Sequence, residues 1–325
     1  MTYLTGLRGI TASLVVTPSE VHMFVDYTHY SGAIRLRSFR IHCTGGIPWA
    51  AAMEYMQAEG VRFIGHDPMN IPAALCLCEG FHFEWVDLGR ELARIRVQKE
   101  RKEIAYLQQA ADATLESIRE VVGHLRDGVS ERECAAIAAS AMVARTGEIP
   151  GFSPMIAFGA NTAHPHWLSG TRRLSPGDTI VIDCGASIEG YCADITRTFF
   201  WKRASARQRR RYRIVWTALD RAISDIAPGI PCSSIDDVVR SELSRYQLDT
   251  CFPHPLGHGV GLSVHEAPYF SVDSEDELMV DMTFALEPGI FIPGWGGIRI
   301  EEMVRLSSAG PEIMCERAPV DGLLS

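Results

Sequence analysis

The period of the apolar positions changes along the chain, and each change marks a different kind of element. Residues 11–26, TASLVVTPSEVHMFVD, read as two short strands, because β-branched and aromatic residues cluster on either side of a Thr-Pro-Ser turn. AMEYMQAEGVRFIGHD, 52–67, gives a short helix, a Gly stop and a strand, an α/β pattern that continues to about Asp87. From about Glu91 to Thr146 the spacing becomes helical through Ile95, Ile104, Leu107, Ala111, Leu115 and Ile118, and Ser130 with Glu133 forms a capping box for the next helix. The pattern therefore predicts a small α/β N-terminal domain over 1–95 and a second domain over 96–325.

Beyond Pro150 come strand-like runs broken by Gly, Pro and Asn: MIAFGAN, DTIVIDCGA, CADITRTFFW, MTFALEPGIFIP and GGIRIEEMVRL. Helical stretches at 207–227 and 234–247 interrupt them. A curved antiparallel sheet backed by helices, an α+β architecture, is the expected result. The chain shows neither a tandem repeat nor a low-complexity tract.

With 325 residues, 46% of them apolar, there is material for two cores. The net charge of −9 and the spread of basic residues argue against a nucleic-acid or anionic-membrane partner and favour a small peptide or metabolite. The one basic run, RQRRRYR at 207–213, opens a helical stretch and is read as a solvated helix end. Nine cysteines, scattered without CxxC pairs, and a start without a charged-then-apolar leader lead us to expect a reducing cytoplasm. No apolar stretch reaches the length of a bilayer span, so no membrane anchor is expected. Cys184 and Cys192, which flank two aspartates, are expected to be small core residues.

Those two aspartates carry the chemistry. VIDCGASIEGYCADITRTF, 181–199, places Asp183 and Asp194 in strand material, and a buried ionised Asp must be paired, hydrogen-bonded or metal-bound. HPLGHGVGLSVHEAP, 254–268, adds His254, His258 and His265; LEPGIF puts Glu287 at a strand end; IRIEEMV puts Arg299 and Glu301 on one face of a strand; NTAHPHW adds His164 and His166. Each taken singly has a plain structural explanation. Together, Asp183, Asp194, His258, Glu287 and Glu301 supply four carboxylates and one imidazole, a formal −4 that two divalent cations would cancel. Five ligands are too few for two separate shells, so carboxylates must bridge. Oxygen-rich shells suit Mn, while a single His keeps Zn, Co and Fe open. Two such ions about 3.5–4 Å apart would acidify a bridging water to hydroxide and polarise a carbonyl, which is hydrolytic chemistry. The remaining histidines and Arg299 would orient ligands and bind the substrate carbonyl.

The order of these ligands inside IDCGA, ADITRTF, GHGVG, EPG and RIEEM resembles the M24 metallopeptidases of pita-bread fold. HEAP, the His-Pro-His segment and the strand-rich N-terminal region, with YLTGLRG and LVVTPSE, are similar to the Xaa-Pro aminopeptidase and Xaa-Pro dipeptidase (prolidase) branch. By position the resemblance implies that Asp183 ligates one metal and His258 with Glu287 the other, with Asp194 and Glu301 bridging. It further implies that His166 contacts substrate, that His254 and His265 flank the scissile bond, that Arg299 supports the ligands, and that Glu287 shuttles a proton to the leaving nitrogen. It also implies a creatinase-like N-terminal domain and a homodimer. Two departures stand out: the N-terminal region is short, as though truncated, and DYTHY at 26–30 lacks the Arg that commonly follows the equivalent Asp.

A bond before proline has a tertiary amide nitrogen without N–H, so a dedicated site needs a preformed apolar pocket. Trp167, Val260 and Phe152 are candidates for lining it. A dipeptidase also needs a cation for the substrate carboxylate, for which Arg172, Arg173 and Arg197 are candidates. Three classes remain open: a dinuclear Xaa-Pro peptidase acting on peptides with proline second, a hydrolase of the same fold acting on a non-peptide amide or C–N bond, and a non-catalytic binding protein on this scaffold. The complete ligand set favours the first.

Overall fold

The computed structural model describes residues 1–67, 80–320 and 322–324, the last two by backbone only, and the statements below concern these. The part of the expected α/β pattern that falls on 68–79 lies outside them. The chain divides into two compact units, Met1–Ile95 and Arg96–Ser325.

In the first unit a short helix, α1 (Thr2–Thr5), precedes the two strands expected around the Thr-Pro-Ser turn, β1 (Ala12–Val16) and β2 (Val21–Asp26), which pair antiparallel. Asp26 of DYTHY begins a helix the sequence reading did not anticipate, α2 (Tyr27–Ala33), by accepting the His29 N–H at 3.0 Å, a local cap that offsets an otherwise unpaired donor. Strand β3 (Arg40–Thr44) then pairs parallel with β2, helix α3 (Pro48–Ala58) follows, and β4 (Phe63–His66) pairs parallel with β5 (Glu84–Asp87). Met23, Val25 and Ala33 form the small core.

Helix α4 (Gly89–Val97) carries the chain into the second unit; Ile95, which its spacing placed on an apolar face, is 59% exposed. Two long helices follow, α5 (Arg101–His124) and α6 (Glu131–Thr146). The capping box at α6 forms as the sequence indicates: Ser130 Oγ accepts from Glu133 N, and Glu133 Oε2 accepts from Ser130 N at 2.8 Å.

In place of one curved sheet there are two. The first holds β6 (Met155–Phe158), β7 (Thr179–Cys184), β10 (Ile195–Trp201) and β18 (Leu323–Leu324), with the small hairpin β8 (Ser187–Ile188) and β9 (Tyr191–Cys192) between β7 and β10. The second, wholly antiparallel, has the order β12 (Glu266–Phe270), β11 (Gly257–Gly259), β13 (Thr283–Leu286), β16 (Glu302–Ser307), β17 (Gly310–Ile313). A hairpin of β14 (Gly289–Ile292) and β15 (Gly296–Arg299) completes the unit.

Strand alternation decides where the carboxylates point. Ile180, Ile182 and Cys184 of β7 pack against Leu107, Ala111 and Ile118 of α5 and Ala138 and Met142 of α6. Successive side chains face opposite sides of a strand, so Val181 and Asp183 are left on the other face. The second sheet is backed by α7 (Ala206–Ser224) and α8 (Cys232–Ser244), whose Val215, Leu219, Ile235, Val239 and Leu243 bury with Phe270, Phe284, Leu286 and Val304. Arg207, Arg209, Arg210 and Arg213 of the basic run are exposed at the start of α7, whereas Arg211 lies over the Trp295 ring, 4.0 Å from its centroid. No helix among the described residues is long and apolar enough to cross a membrane.

Candidate metal centre

Each acid reaches the site through a local device. Cα register pairs Asp183 with Thr196 and Cys184 with Ile195, so Asp194 sits just beyond the end of the β7–β10 pair. His258 is flanked by Gly257 and Gly259, where an added Cβ would collide with the Ala285 and Ala267 carbonyl oxygens; only glycine lets β11 run so close to both neighbouring strands. His258 is in register with Ala285, and Ala285 with Met303, so the imidazole shares a face with Met303, whose sulfur accepts from Asp194 N at 3.4 Å. Glu287 follows β13 directly.

Arg299 and Glu301 do not share one strand as expected. The chain leaves the sheet at Ile300 and Glu301, between β15 and β16, because Glu301 N donates instead to Thr196 O at 3.1 Å. This crossing, with Thr198 Oγ1 donating to Arg299 O at 2.6 Å, brings β10 against the strand break and turns Glu301 inward.

The five expected ligands converge. Ligand atoms of Asp183, Asp194 and Glu301 lie within 4.8 Å of one another, as do those of His258, Glu287 and Glu301, and of Asp194, His258 and His265. Among the carboxylates, Glu301 and Asp194 each belong to two of these triads. His258 Nε2 is 3.7 Å from Asp194 Oδ2 and 3.7 Å from Glu287 Oε1.

Charge in the site is poorly balanced by protein alone. Burial, then the charges of Glu301, Asp183 and Glu287, push Asp194 well above the usual carboxylate range. Glu301 is pushed well above it by burial and then Glu287 and Asp183, and burial also raises Asp183 and takes Glu287 to about 7. Desolvation holds the His258 imidazole down at about 3, so it is neutral and its lone pair is free for a cation. Asp183 Oδ1 and His258 Nε2 are buried without a hydrogen-bond partner. Oxygen-rich, formally negative even with Arg299 counted once its acids are ionised, and aiming unsatisfied buried atoms inward, this donor set fits divalent cations.

Arg299 organises one side. Its guanidinium pairs with Asp183, donates from Nε to Thr196 Oγ1 at 3.1 Å and from Nη1 to Pro165 O at 2.9 Å. Thr196 in turn donates to Glu301 Oε2 at 2.7 Å. Sequence reading missed Thr196, which stands in register with Asp183 on the neighbouring strand and so shares its face. The outer histidines line the other side. His265 is exposed with its ring centroid 3.9 Å from that of His258. His254 has Nδ1 on Pro255 O at 2.8 Å and a buried Nε2 without partner, and burial lowers it to about 4. His166 is exposed and within electrostatic reach of Asp183, His254 and His265.

Two expectations fail, for Arg197 and for Val260. Arg197 cannot receive a substrate carboxylate: it is 2% exposed, pairs with Glu302 at 3.0 Å and donates to Glu301 O and Glu316 O, because β10 turns it away from Thr196 and Thr198. Arg172 pairs with Asp178, and Arg173 donates to Gly128 O. Val260 is fully buried in the core shared with α5 and α6, so it lines no pocket.

Residues 105–308 match the profile of metallopeptidase family M24. The Xaa-Pro dipeptidase of Pyrococcus horikoshii is 36% identical over 216 residues, 66% of this chain and 62% of that protein, so the matched stretch spans less than two thirds of the relative's length. Among solved structures, an Xaa-Pro dipeptidase from Bacillus anthracis superposes with a TM-score of 0.94 at 25% identity, covering 99% of this chain and 92% of that one. An X-Pro aminopeptidase from Thermotoga maritima gives 0.89 at 28% identity, covering 99% and 93%. With its α+β pita-bread fold, its carboxylate-rich centre and a family match over most of its length, the chain belongs to metallopeptidase family M24.

Proposed function

We propose that this protein is a metal-dependent exopeptidase that hydrolyses the bond between an N-terminal residue and proline. The observation that carries the reading is the pair of triads, Asp183–Asp194–Glu301 and His258–Glu287–Glu301, joined through Glu301, with Asp194 also beside His258. These five residues would hold two divalent ions, with Mn the expected metal from the oxygen-rich donor set. Bound there, such ions supply an activated water and polarise the scissile carbonyl.

The protein's own groups do the rest. Asp194 and Glu301 are shared, so they fix the spacing of the two halves of the site, and Thr196 and Arg299 hold Glu301 and Asp183 in orientation. Glu287, 18% exposed on its side chain and at the edge of the cluster, is the carboxylate placed to take a proton and return it to the leaving nitrogen. That proton is required, because a prolyl nitrogen leaves as a secondary amine. His254, with Nε2 unsatisfied, and exposed His265 would bind the substrate backbone on either side of the bond, and His166 would contact it from the loop before β7. We read 1–95 as a creatinase-like N-terminal domain and the protein as a homodimer, which light scattering on the purified chain would test.

The deciding experiment is to strip the protein with chelator and measure release of the N-terminal residue from Ala-Pro and Ala-Pro-Ala with Mn, Co or Zn restored. Metal-restored cleavage supports the reading, and the ratio of the two substrates separates dipeptidase from aminopeptidase. A folded, metal-loaded protein that cleaves neither would turn the search to other amides or to a binding role.

A further inference from the structure

Glu131 is a buried carboxylate for which the proposed hydrolysis has no direct use. It is the first residue of α6 and fully buried, and its four hydrogen bonds all go to one loop. Oε1 accepts from Phe158 N and Asn161 Nδ2, each at 2.8 Å. Oε2 accepts from Trp167 Nε1 and Gly170 N, each at 2.9 Å. Four neutral donors and the N-terminal end of the α6 dipole offset the burial of the charge. Such an arrangement is specific, since a carboxylate has acceptor sites for all four donors and an amide does not.

The donors lie on both arms of the loop, and the segment between them carries His164, Pro165 and His166. From the opposite side Arg299 Nη1 donates to Pro165 O at 2.9 Å, and Gly297 N donates to Thr162 Oγ1 at 2.7 Å. The loop is therefore held at its arms by Glu131 and at its apex by the guanidinium that also binds Asp183. His166 is exposed, so its direction depends on this backbone rather than on packing around its ring.

We propose that Glu131 is a positioning residue: it fixes the two arms of the 158–170 loop so that His166 is presented to the substrate beside Asp183, and it acts on turnover only through His166. This rests on the peptidase reading above, so the test has one arm that does not need turnover. Glu131→Gln keeps the size of the side chain but turns an NH₂ toward two of the four donors. In hydrogen exchange read by mass spectrometry, amides in peptides covering 158–170 should exchange about tenfold faster or more in this variant, with peptides from α5 unchanged. Asn161→Ala removes a donor from one arm only and should give a smaller rise in the same peptides; it serves if Glu131→Gln does not fold.

In the second arm, kcat and KM for Ala-Pro are compared among wild type, Glu131→Gln, His166→Ala and the double variant. Glu131→Gln should lower kcat/KM about tenfold or more, and this loss should vanish in the His166→Ala background, because residues joined through one backbone shift couple and a general loss of stability would not. Unchanged exchange across 158–170 would overturn the proposal, as would an activity loss of the same size with and without His166. If the wild type cleaves no Xaa-Pro peptide, the peptidase reading falls, and the exchange arm alone decides whether Glu131 holds the loop.

Discussion

Replacing Thr196 by Val removes one hydroxyl from the centre while keeping its shape, and the structure says what that hydroxyl does. It donates to Glu301 Oε2 at 2.7 Å and accepts from Arg299 Nε at 3.1 Å, at a fully buried position. Arg299 is charged, Glu301 would be ionised once a cation is bound, and hydrogen bonds to charged groups contribute about 1.5–3 kcal/mol. Arg299 keeps its contacts to Asp183 and Pro165, so most of the loss falls on Glu301. Because Glu301 is common to two triads, a loosened carboxylate would weaken binding of both proposed ions. Loss of a group that orients a ligand typically lowers metal affinity about 10–100-fold, which is about 1.4–2.8 kcal/mol and agrees with one charged hydrogen bond. The assay is a titration of stripped protein with Mn in a chelator buffer, with calorimetry of the metal-free variant as a control. A midpoint about 2–8 °C lower is expected for the metal-free form if about 1–2 kcal/mol of stability is lost. Metal affinity within about threefold of the wild type, in a folded variant, would refute the reasoning.

Asp183→Asn should reduce bound metal toward one equivalent, whereas Asp194→Asn or Glu301→Gln should reduce it further, since those two are shared between triads; equal losses by metal analysis in all three would remove the bridging assignment. Arg197→Met leaves Glu302, fully buried, without its ion-pair partner and should destabilise by about 3–5 kcal/mol in urea unfolding. KM of the folded fraction should stay at the wild-type value, and a KM raised for dipeptides alone would return Arg197 to a substrate role. His254→Ala should lower turnover sharply with metal content near that of the wild type. His265→Ala separates two roles: loss of metal would make it a ligand beside Asp194 and His258, and loss of turnover alone would make it a substrate contact.

Much of the second unit is legible from local signals. The capping box at Ser130 and Glu133 sets the start of α6, and alternation along β7 sends Ile180 and Ile182 toward the helices. In the first unit the Thr-Pro-Ser break separates β1 from β2. The start of α2 was legible in principle, since Asp26 is a good cap, but the segment has no apolar periodicity to announce a helix. The five candidate ligands could be named from residue type and strand context, because acids set in apolar strand material need a compensating partner.

What the sequence determined by itself is therefore the inventory: an α+β chain, the start of α6 and the approximate extents of α7 and α8, and four acids and an imidazole set in apolar segments. Tertiary structure alone decided how that inventory is shared. The period of a strand fixes which residues lie on one face and says nothing of what that face meets, so the bond from Thr196 to Glu301, 105 residues apart, has no trace in either segment. The same limit explains why Arg197 read as free when β10 buries it against Glu302, and why the break between β15 and β16 was not foreseen, since its cause is a carbonyl on another sheet. Glu131 stayed hidden for this reason too. Its neighbours in sequence mark it as an ordinary residue of a helix's first turn, and its four donors, 27 to 39 residues further along, become its partners only when the loop folds back over α6.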